Sequence, residues 1–182
     1  MDDSTEIFSE SKVRRPSLVS TFVSVGNATQ PFPRLLDAVF EIEHHLPQPV
    51  VVQHGRTPFS HSDCIAMPFV ELGEFERFIA QAELLIMHAG AGSVIHAVRA
   101  GKIPVVMPRS IKFGEHVDDH QLAFARSLAQ TGRVVLAEQT DDLEEAVKAA
   151  LARQQSRSTF TETVAMMRLV SEVLANYAKT RY

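Results

Sequence analysis

Short apolar segments with the composition of β-strands alternate with amphipathic segments along most of the chain. Segments such as PVVVQHG and IPVVMP are apolar almost throughout, which is typical of strands buried on both faces. Between them lie longer segments, such as ELGEFERFIAQA, whose apolar residues recur at helical spacing. This order predicts an α/β fold, a single Rossmann-like domain in which a mostly parallel sheet is covered by helices. Ligands of such sheets bind at the carboxyl ends of the strands.

Length and charge restrict the class of protein further. With 182 residues the chain is long enough for one domain, and its net charge of -4 argues against a nucleic-acid partner. The single cysteine, Cys64, excludes an internal disulfide and a multi-cysteine metal site. Residues 1–17 are polar and predict a mobile leader before one domain over 18–182, which closes with a long helix over 160–179. The chain contains no apolar run long enough to span a bilayer and no signal-peptide pattern.

The segment HAGAGS follows the apolar run ELLIM and precedes a helical segment. The amino end of a helix carries unpaired N–H groups and a partial positive charge, so it attracts anions. Gly90 and Gly92 allow a ligand to approach the backbone, and the Ser93 hydroxyl can cap the helix or donate to an oxygen. The turn therefore predicts a diphosphate site, although any strand-to-helix turn favours glycine and serine. It matches neither GxGxxG followed by an acid nor a P-loop.

A long polar segment, MPRSIKFGEHVDDHQ, follows the next predicted strand. Three interpretations are open. His116 and His120, spaced four residues apart beside carboxylates, could bind a metal. His120 and Gln121 could bind sugar hydroxyls near the glycine turn. Asp118 or Asp119 could do no more than cap the helix that follows.

The segment SVGNATQPFPR forms a polar turn after the first predicted strand. Gly26, Asn27 and Thr29 place flexible and hydrogen-bonding groups where the strand ends, which fits a ligand site as well as an ordinary loop. Four other histidines were predicted to lie at the surface or at strand ends and received no role: His44, His45, His54 and His61.

Four segments in this order resemble the donor-binding C-terminal half of GT-B glycosyltransferases of family 28. They are VSVGNATQPFPRLLDAV, HAGAGS, GKIPVVMPR and DDHQLAFARSLAQTG, and the resemblance extends from Leu18 to about Leu151. Single-domain members of this kind are the soluble subunit of the eukaryotic dolichol-linked N-acetylglucosaminyltransferase and the small subunit of bacterial exopolysaccharide glucuronosyltransferases. The segment MPRSIKFGEHVDDHQ is more similar to the bacterial type. The resemblance implies one half of a GT-B fold.

The resemblance also implies binding roles for three turns of the chain. In such families the glycine turn and its helix hold the UDP diphosphate, the segment after the third strand brackets the uracil, and a late pair ending in glutamine contacts the donor sugar. These roles map to His88, Gly90, Gly92 and Ser93 for the diphosphate, to Phe69 and Val70 for the uracil, and to His120 and Gln121 for the sugar.

Two further positions bear on which donor is bound. His96 stands where many relatives have a glutamate that holds the ribose hydroxyls, so a neutral imidazole would have to do this here. Arg109 could pair with the carboxylate of a glucuronate donor. The candidate binding site also includes Gly26, Asn27 and Thr29 from the turn after the first predicted strand. The last candidate is the acidic residue Glu115.

The function implied is an inverting transfer from a UDP-sugar to a lipid-linked saccharide acceptor, without a metal or other cofactor. A membrane-anchored acceptor-binding subunit is the expected partner, and it would hold this chain at the cytoplasmic, inner face of the membrane. The sequence shows no clear catalytic base, so the base is expected on that partner, with His116 as the candidate within this chain. Two other functions stay open: a metal-dependent hydrolase using the Glu115–His120 cluster, and a non-catalytic, regulatory nucleotide-sugar-binding subunit.

Overall fold

Strands and helices alternate along the part of the chain that the computed structural model describes, residues 16–156, except that a loop without a helix joins the second strand to the third. The predicted leader, apart from its last two residues, and the predicted helix over 160–179 lie outside these described residues. The elements in chain order are β1 (Thr21–Ser24), α1 (Pro33–Glu41), β2 (Val50–Gln53), β3 (Cys64–Met67), α2 (Leu72–Gln81), β4 (Leu84–His88), α3 (Ala91–Arg99), β5 (Val105–Met107), α4 (His120–Gln130), β6 (Val135–Leu136) and α5 (Leu143–Ser156). Short 3₁₀ helices occupy Glu43–His45, Ile111–Phe113 and Thr140–Asp142.

The strands form one six-stranded sheet in the order β3-β2-β1-β4-β5-β6, and every neighbouring pair is parallel. The α/β fold with a parallel sheet that the sequence predicts is therefore confirmed. From β1 the chain first builds outward through β2 and β3, and then returns to place β4 on the other side of β1. This reversal opens a crevice between the carboxyl ends of β1 and β4, which is where ligands of such sheets bind.

Helices cover both faces of the sheet because successive strand residues point to opposite faces. On one face, Val23, Val52 and Ile86 pack with buried residues of α1 and α5. On the other face, Phe22 and Met87 pack with buried residues of α2, α3 and α4. This explains why the strand segments are mostly apolar, with polar residues mainly at their ends. Among residues 16–156, no helix has the length and apolarity needed to cross a membrane.

Helix α1 is shorter than the apolar pattern of its segment. In PRLLDAVFEIEHHL, residues 33–46, the apolar side chains recur near helical spacing and predict one helix, but α1 ends at Glu41 and a 3₁₀ turn follows. Leu46, the residue before Pro47, has an extended backbone with ψ of 138°. A proline disfavours helical angles in the residue before it, so the chain leaves the helix and buries Leu46 before β2 begins.

Candidate functional site

A cleft of about 440 Å³ lies at the crevice between β1 and β4. The ends of these two strands and the first turns of α2 and α3 form its walls, so the sheet order itself places it. Its lining residues are Ser24, Gly26, Asn27, Gln53, Val70, Leu72, Phe75, His88, Gly90, Ala91, Gly92, Ser93 and His96. Eight of the predicted site residues are among them and are thus brought together: Gly26, Asn27, Val70, His88, Gly90, Gly92, Ser93 and His96.

The amino end of α3 opens directly into this cleft. Gly90 is the residue that precedes the helix, and the first helical hydrogen bond runs from Val94 N to Gly90 O at 3.0 Å. The N–H groups of residues 91–93 therefore have no acceptor within the helix. A Cβ added at Gly92 would meet nothing within 4 Å, so open space lies above the first turn. Ser93 does not cap the helix, as its position had suggested, but lies within the first turn and faces the cleft.

The ring of His88 occupies the space between two glycines. A Cβ at Gly26 or at Gly90 would collide with the imidazole. Gly26 also has a φ of +77°, which favours glycine, whereas Gly90 has an ordinary φ of -77°. Gly90 is thus required because it makes room for the ring, and not because its backbone is strained. The sequence predicts that both Gly90 and Gly92 allow a ligand to approach the backbone. Open space lies only at Gly92, because the His88 ring fills the space beside Gly90.

His88 is neutral at physiological pH. Burial, together with the positive charge of Arg109, lowers the pKa of its imidazole from 6.5 to about 4. Its Nδ1 atom is buried and has no hydrogen-bond partner among residues 16–156. A neutral imidazole can donate one hydrogen bond to a ligand but carries no charge. The positive potential of the cleft therefore comes from the end of α3 rather than from His88.

The low pKa of His88 makes the fold sensitive to acid. The unfolded chain takes up a proton near pH 6.5 and the folded chain only near pH 4. Between these values the unfolded state binds more protons, so the free energy of unfolding should fall as the pH drops, by about 3 kcal/mol in all. Urea unfolding of the wild type and of His88→Gln at several pH values measures this. The two proteins should diverge only below pH 6.5, and parallel pH profiles would contradict the assignment.

Gln53 holds the two turns of the cleft together, and the sequence analysis missed it. Its Oε1 accepts hydrogen bonds from Ser24 Oγ at 2.7 Å and from Gly26 N at 3.1 Å. Its Nε2 donates to Gly26 O and to Pro68 O, both at 3.0 Å. The side chain is only 3% exposed. The available signal was a single amide at the end of the otherwise apolar segment PVVVQHG.

A second cleft of about 330 Å³ adjoins the first and shares Gly90 and Ala91 with it. His116, His120 and Gln121 line this second cleft, so the predicted sugar-binding pair lies beside the glycine turn. Gln121 Oε1 accepts a hydrogen bond from Arg109 N at 3.1 Å. That hydrogen bond fixes the orientation of the Gln121 side-chain amide, and no other described residue forms a hydrogen bond with its Nε2. The amide nitrogen is therefore available to a ligand in the second cleft.

The two aspartates before α4 have different roles. Asp118 Oδ1 accepts from His120 N at 3.2 Å, which satisfies the first N–H of the helix, as a capping residue does. Its carboxylate also contacts Nδ1 of both His116 and His120. Asp119 makes no capping bond, and instead accepts from Ile111 N at 3.1 Å and so closes the loop. Capping by Asp118 is thus part of the arrangement, as one interpretation of the sequence expected.

Glu115 does not join the histidines of this loop. It is 2% exposed and forms a two-pronged ion pair with Arg34, at 2.9 Å to Nε and 2.8 Å to Nη2. Its Oε2 also accepts from Ser110 N. In the described part of the chain, the loop brings no three metal-ligating side chains within 4.8 Å of one another. The described residues therefore do not assemble the metal site of the hydrolase interpretation, and Glu115 lines neither of the two clefts.

Arg109 is structural, which corrects its predicted role at a sugar carboxylate. It is 1% exposed. Its guanidinium donates to Val25 O at 2.7 Å, to Gln30 O at 2.8 Å and to Glu115 O at 3.0 Å. Burial lowers its pKa to about 10, so it keeps its charge at neutral pH. Arg109 therefore joins the turn after β1 to the loop after β5 from the interior and does not face the clefts.

The apolar end of the first cleft is formed by α2 and the segment before it. Val70 and Phe75 line the cleft, whereas the side chain of Phe69 is 51% exposed and is not part of the lining. His96 lines the cleft, and its Nδ1 lies 3.2 Å from Oε1 of the exposed Glu76 on α2. The Thr29 hydroxyl donates to Gln30 Oε1 at the surface, outside both clefts.

The family model for the glycosyltransferase family 28 C-terminal domain matches residues 20–173. This match covers most of the chain. The chain belongs to that family. The match includes every residue that lines the two clefts, so the clefts of the structure are clefts of a family 28 domain.

Curated relatives match about half of the chain. It is 36% identical over 87 residues to the UDP-N-acetylglucosamine transferase subunit ALG13 of Yarrowia lipolytica, which is 48% of this chain and 37% of that protein. It is 34% identical over 96 residues to the UDP-N-acetylglucosamine--N-acetylmuramyl-(pentapeptide) pyrophosphoryl-undecaprenol N-acetylglucosamine transferase of Acinetobacter baylyi, 53% of this chain and 25% of that one. The matched region thus spans between a quarter and two fifths of these relatives.

Solved structures share the fold at low sequence identity. The calicheamicin glycosyltransferase CalG4 matches with a TM-score of 0.57 and 18% identity, over 94% of this chain and 46% of that one. The NMR solution structure of ALG13 matches with a TM-score of 0.54 and 20% identity, over 84% of this chain and 95% of that one. The fold thus corresponds to about half of the first structure and to nearly all of the second.

Proposed function

We propose that the chain binds a UDP-sugar and serves as the donor-binding half of an inverting glycosyltransferase. The observation that carries this proposal is the free amino end of α3, which opens with Gly92 into the cleft between β1 and β4. A diphosphate fits there because three unpaired N–H groups and the helix dipole meet its negative charge. The second cleft begins at the same turn and has room for the sugar that the diphosphate carries.

The chemical contribution of this half is stabilisation of the departing UDP. In the transition state, negative charge grows on the phosphate oxygen that leaves the sugar. N–H groups at the end of α3 are already oriented towards that position, so they need no reorganisation as the charge develops. His88, neutral in the free protein, adds a hydrogen bond from beneath the turn. This chain would thereby lower the barrier through binding and orientation, and proton removal from the acceptor would be left to another group.

UDP-N-acetylglucosamine is the donor to test first. The names of both curated relatives contain N-acetylglucosamine transferase, which supports this sugar. UDP-glucuronate, and with it a role in exopolysaccharide synthesis, was suggested by the segment after β5 and by Arg109. Since Arg109 is buried against main-chain carbonyls, no residue-level reason for glucuronate remains. UDP-glucuronate is therefore the second donor to test, after UDP-N-acetylglucosamine.

The acceptor half is proposed to belong to a membrane-anchored partner subunit, which would hold this chain at the cytoplasmic face of the membrane. One curated relative is named as a transferase subunit, which supports a second component. Three apolar side chains of the loop beside the second cleft are exposed and offer a docking surface: Ile111, Phe113 and Val117. Transfer of labelled sugar to a lipid-linked acceptor should require membranes that contain the partner. Full transfer by the purified chain would contradict the partner proposal and favour His116 as the base.

Gln121 provides a test of the sugar subsite. Gln121→Glu keeps the oxygen that holds Arg109 N but replaces the amide donor of the second cleft with a carboxylate oxygen. The variant should bind UDP as the wild type does and bind UDP-N-acetylglucosamine about tenfold more weakly, because a lost hydrogen bond costs about 1–2 kcal/mol. Calorimetry with both ligands measures the difference. Equal losses for UDP and the UDP-sugar would assign Gln121 to the diphosphate or to the fold.

A purely regulatory subunit is the remaining alternative. It would bind the UDP-sugar in the same clefts without contributing to transfer. Gly92→Asp, expected to weaken donor binding at least about 100-fold, separates the two functions when the partner is present. A catalytic subunit loses transfer together with donor binding, whereas a regulatory one leaves transfer by its partner measurable.

A further inference from the structure

We propose that Glu43, His61 and Asp63 form a binding site for a divalent transition metal of the Zn²⁺ class at the amino end of the sheet. The site is independent of the proposed UDP-sugar clefts, which lie at the carboxyl end. The sequence analysis assigned His61 no role, because the three residues belong to two separate segments of the chain and only the fold brings them together.

The three side chains converge on one point. Each offers one ligand atom, and these atoms all lie within 4.8 Å of one another. His61 Nε2 is 3.5 Å from Glu43 Oε2. Glu43 begins the 3₁₀ turn before β2, while His61 and Asp63 belong to the loop that enters β3. A metal ion bound by atoms at this spacing requires only small side-chain movements to reach ligand distances of about 2.0–2.2 Å.

The imidazole of His61 is held in place by aromatic neighbours. Its ring stacks on Phe40 with centroids 4.1 Å apart and an interplanar angle of 30°. Phe59 lies nearly parallel to it at 6.5 Å. A metal at Nε2 places the imidazole proton on Nδ1, which gives up only the long 3.4 Å contact from Asp63 N. The ring is therefore oriented towards Glu43 before any metal binds.

The two carboxylates of this cluster carry negative charge that no described lysine or arginine side chain neutralises. Within residues 16–156, neither Glu43 nor Asp63 has a lysine or arginine within ion-pair distance. Two carboxylates attract any divalent cation, and the imidazole nitrogen selects Zn²⁺ over Ca²⁺ and Mg²⁺, which prefer oxygen ligands.

A metal here would join the turn before β2 to the beginning of β3. Since β3 is the edge strand of the sheet and pairs on one side with β2, this link would add a second connection at its beginning. The expected consequence is a higher melting temperature and no change in UDP binding. Metal that binds the folded chain stabilises it in proportion to the logarithm of the metal concentration.

The test uses the full chain freed of metal with EDTA and then dialysed. Zn²⁺ titration by calorimetry should give one site, and Zn²⁺ should raise the melting temperature. Asp63→Asn, an exposed and conservative change, and His61→Gln should each weaken Zn²⁺ binding by about tenfold or more. Ca²⁺ and Mg²⁺ should bind about 100-fold more weakly than Zn²⁺.

The matched control is His120→Gln. It removes a histidine from a second histidine–aspartate cluster, in which His120 Nδ1 contacts Asp118. It should leave Zn²⁺ affinity unchanged. Unchanged Zn²⁺ affinity in Asp63→Asn and His61→Gln would overturn the proposal, as would a loss confined to His120→Gln. Ca²⁺ binding as tight as Zn²⁺ binding would also overturn it, because His61 would then not be a ligand. UDP titrations of the same variants report separately on the proposed function.

Discussion

A Gly92→Asp variant is expected to fold like the wild type and to bind UDP at least about 100-fold more weakly. Gly92 lies in the first turn of α3, and a side chain there enters open space. A carboxylate near a helix amino end is favourable for the free protein, so stability should be unchanged or slightly higher. The same carboxylate would stand where the diphosphate binds, and two unit charges about 5 Å apart repel by about 3 kcal/mol at an effective dielectric constant of about 20.

Gly92→Asn is the matched control for this effect. Asparagine has nearly the same shape without the charge, so the ratio of the two dissociation constants isolates the electrostatic part. Calorimetry gives the constants and urea unfolding gives the stabilities. If Gly92→Asp binds UDP as tightly as the wild type, no diphosphate lies at the end of α3.

Arg109→Met is expected to lower the free energy of unfolding by about 3–5 kcal/mol. The substitution removes the donor of buried hydrogen bonds to Val25 O, Gln30 O and Glu115 O, and it leaves these carbonyls without that partner. A domain of this kind has a total stability of about 5–15 kcal/mol, so the loss is a large part of it. Urea unfolding followed by circular dichroism measures the change.

Arg99→Met serves as the control because Arg99 is an exposed arginine at the end of α3. It should change stability by less than about 0.5 kcal/mol. If instead Arg109 faced a donor carboxylate, Arg109→Met would keep its stability and lose affinity for UDP-glucuronate alone. That outcome would contradict the buried position described above.

The sheet and its helices follow from local pattern, and for that reason they could be predicted. Segments such as PVVVQHG are apolar almost throughout when helices cover both faces of a parallel sheet. The cleft was also predictable in outline, since HAGAGS ends one strand and begins a helix. The strand order of the sheet determines which strands flank the crevice. No local sequence pattern specifies that β4 lies beside β1.

The misassigned residues are charged groups whose partners lie far away in sequence. Arg109 and Glu115 appeared in a polar loop, which suggested exposure and binding. Their partners Val25 and Arg34 are more than eighty residues distant, so burial could not be inferred from neighbours. The role of Gly90 was misread for a similar reason, because the ring that requires it belongs to His88 and points back under the turn.

Titration of the purified chain with UDP and UDP-N-acetylglucosamine in the presence of EDTA tests the central claim most directly. The account predicts that both ligands bind at one site without divalent metal, because the end of α3 supplies the charge complement of the diphosphate. Gly92→Asp in the same buffer should bind both ligands at least about 100-fold more weakly. Binding that appears only after addition of Mg²⁺ or Mn²⁺, or wild-type affinity in Gly92→Asp, would contradict the account.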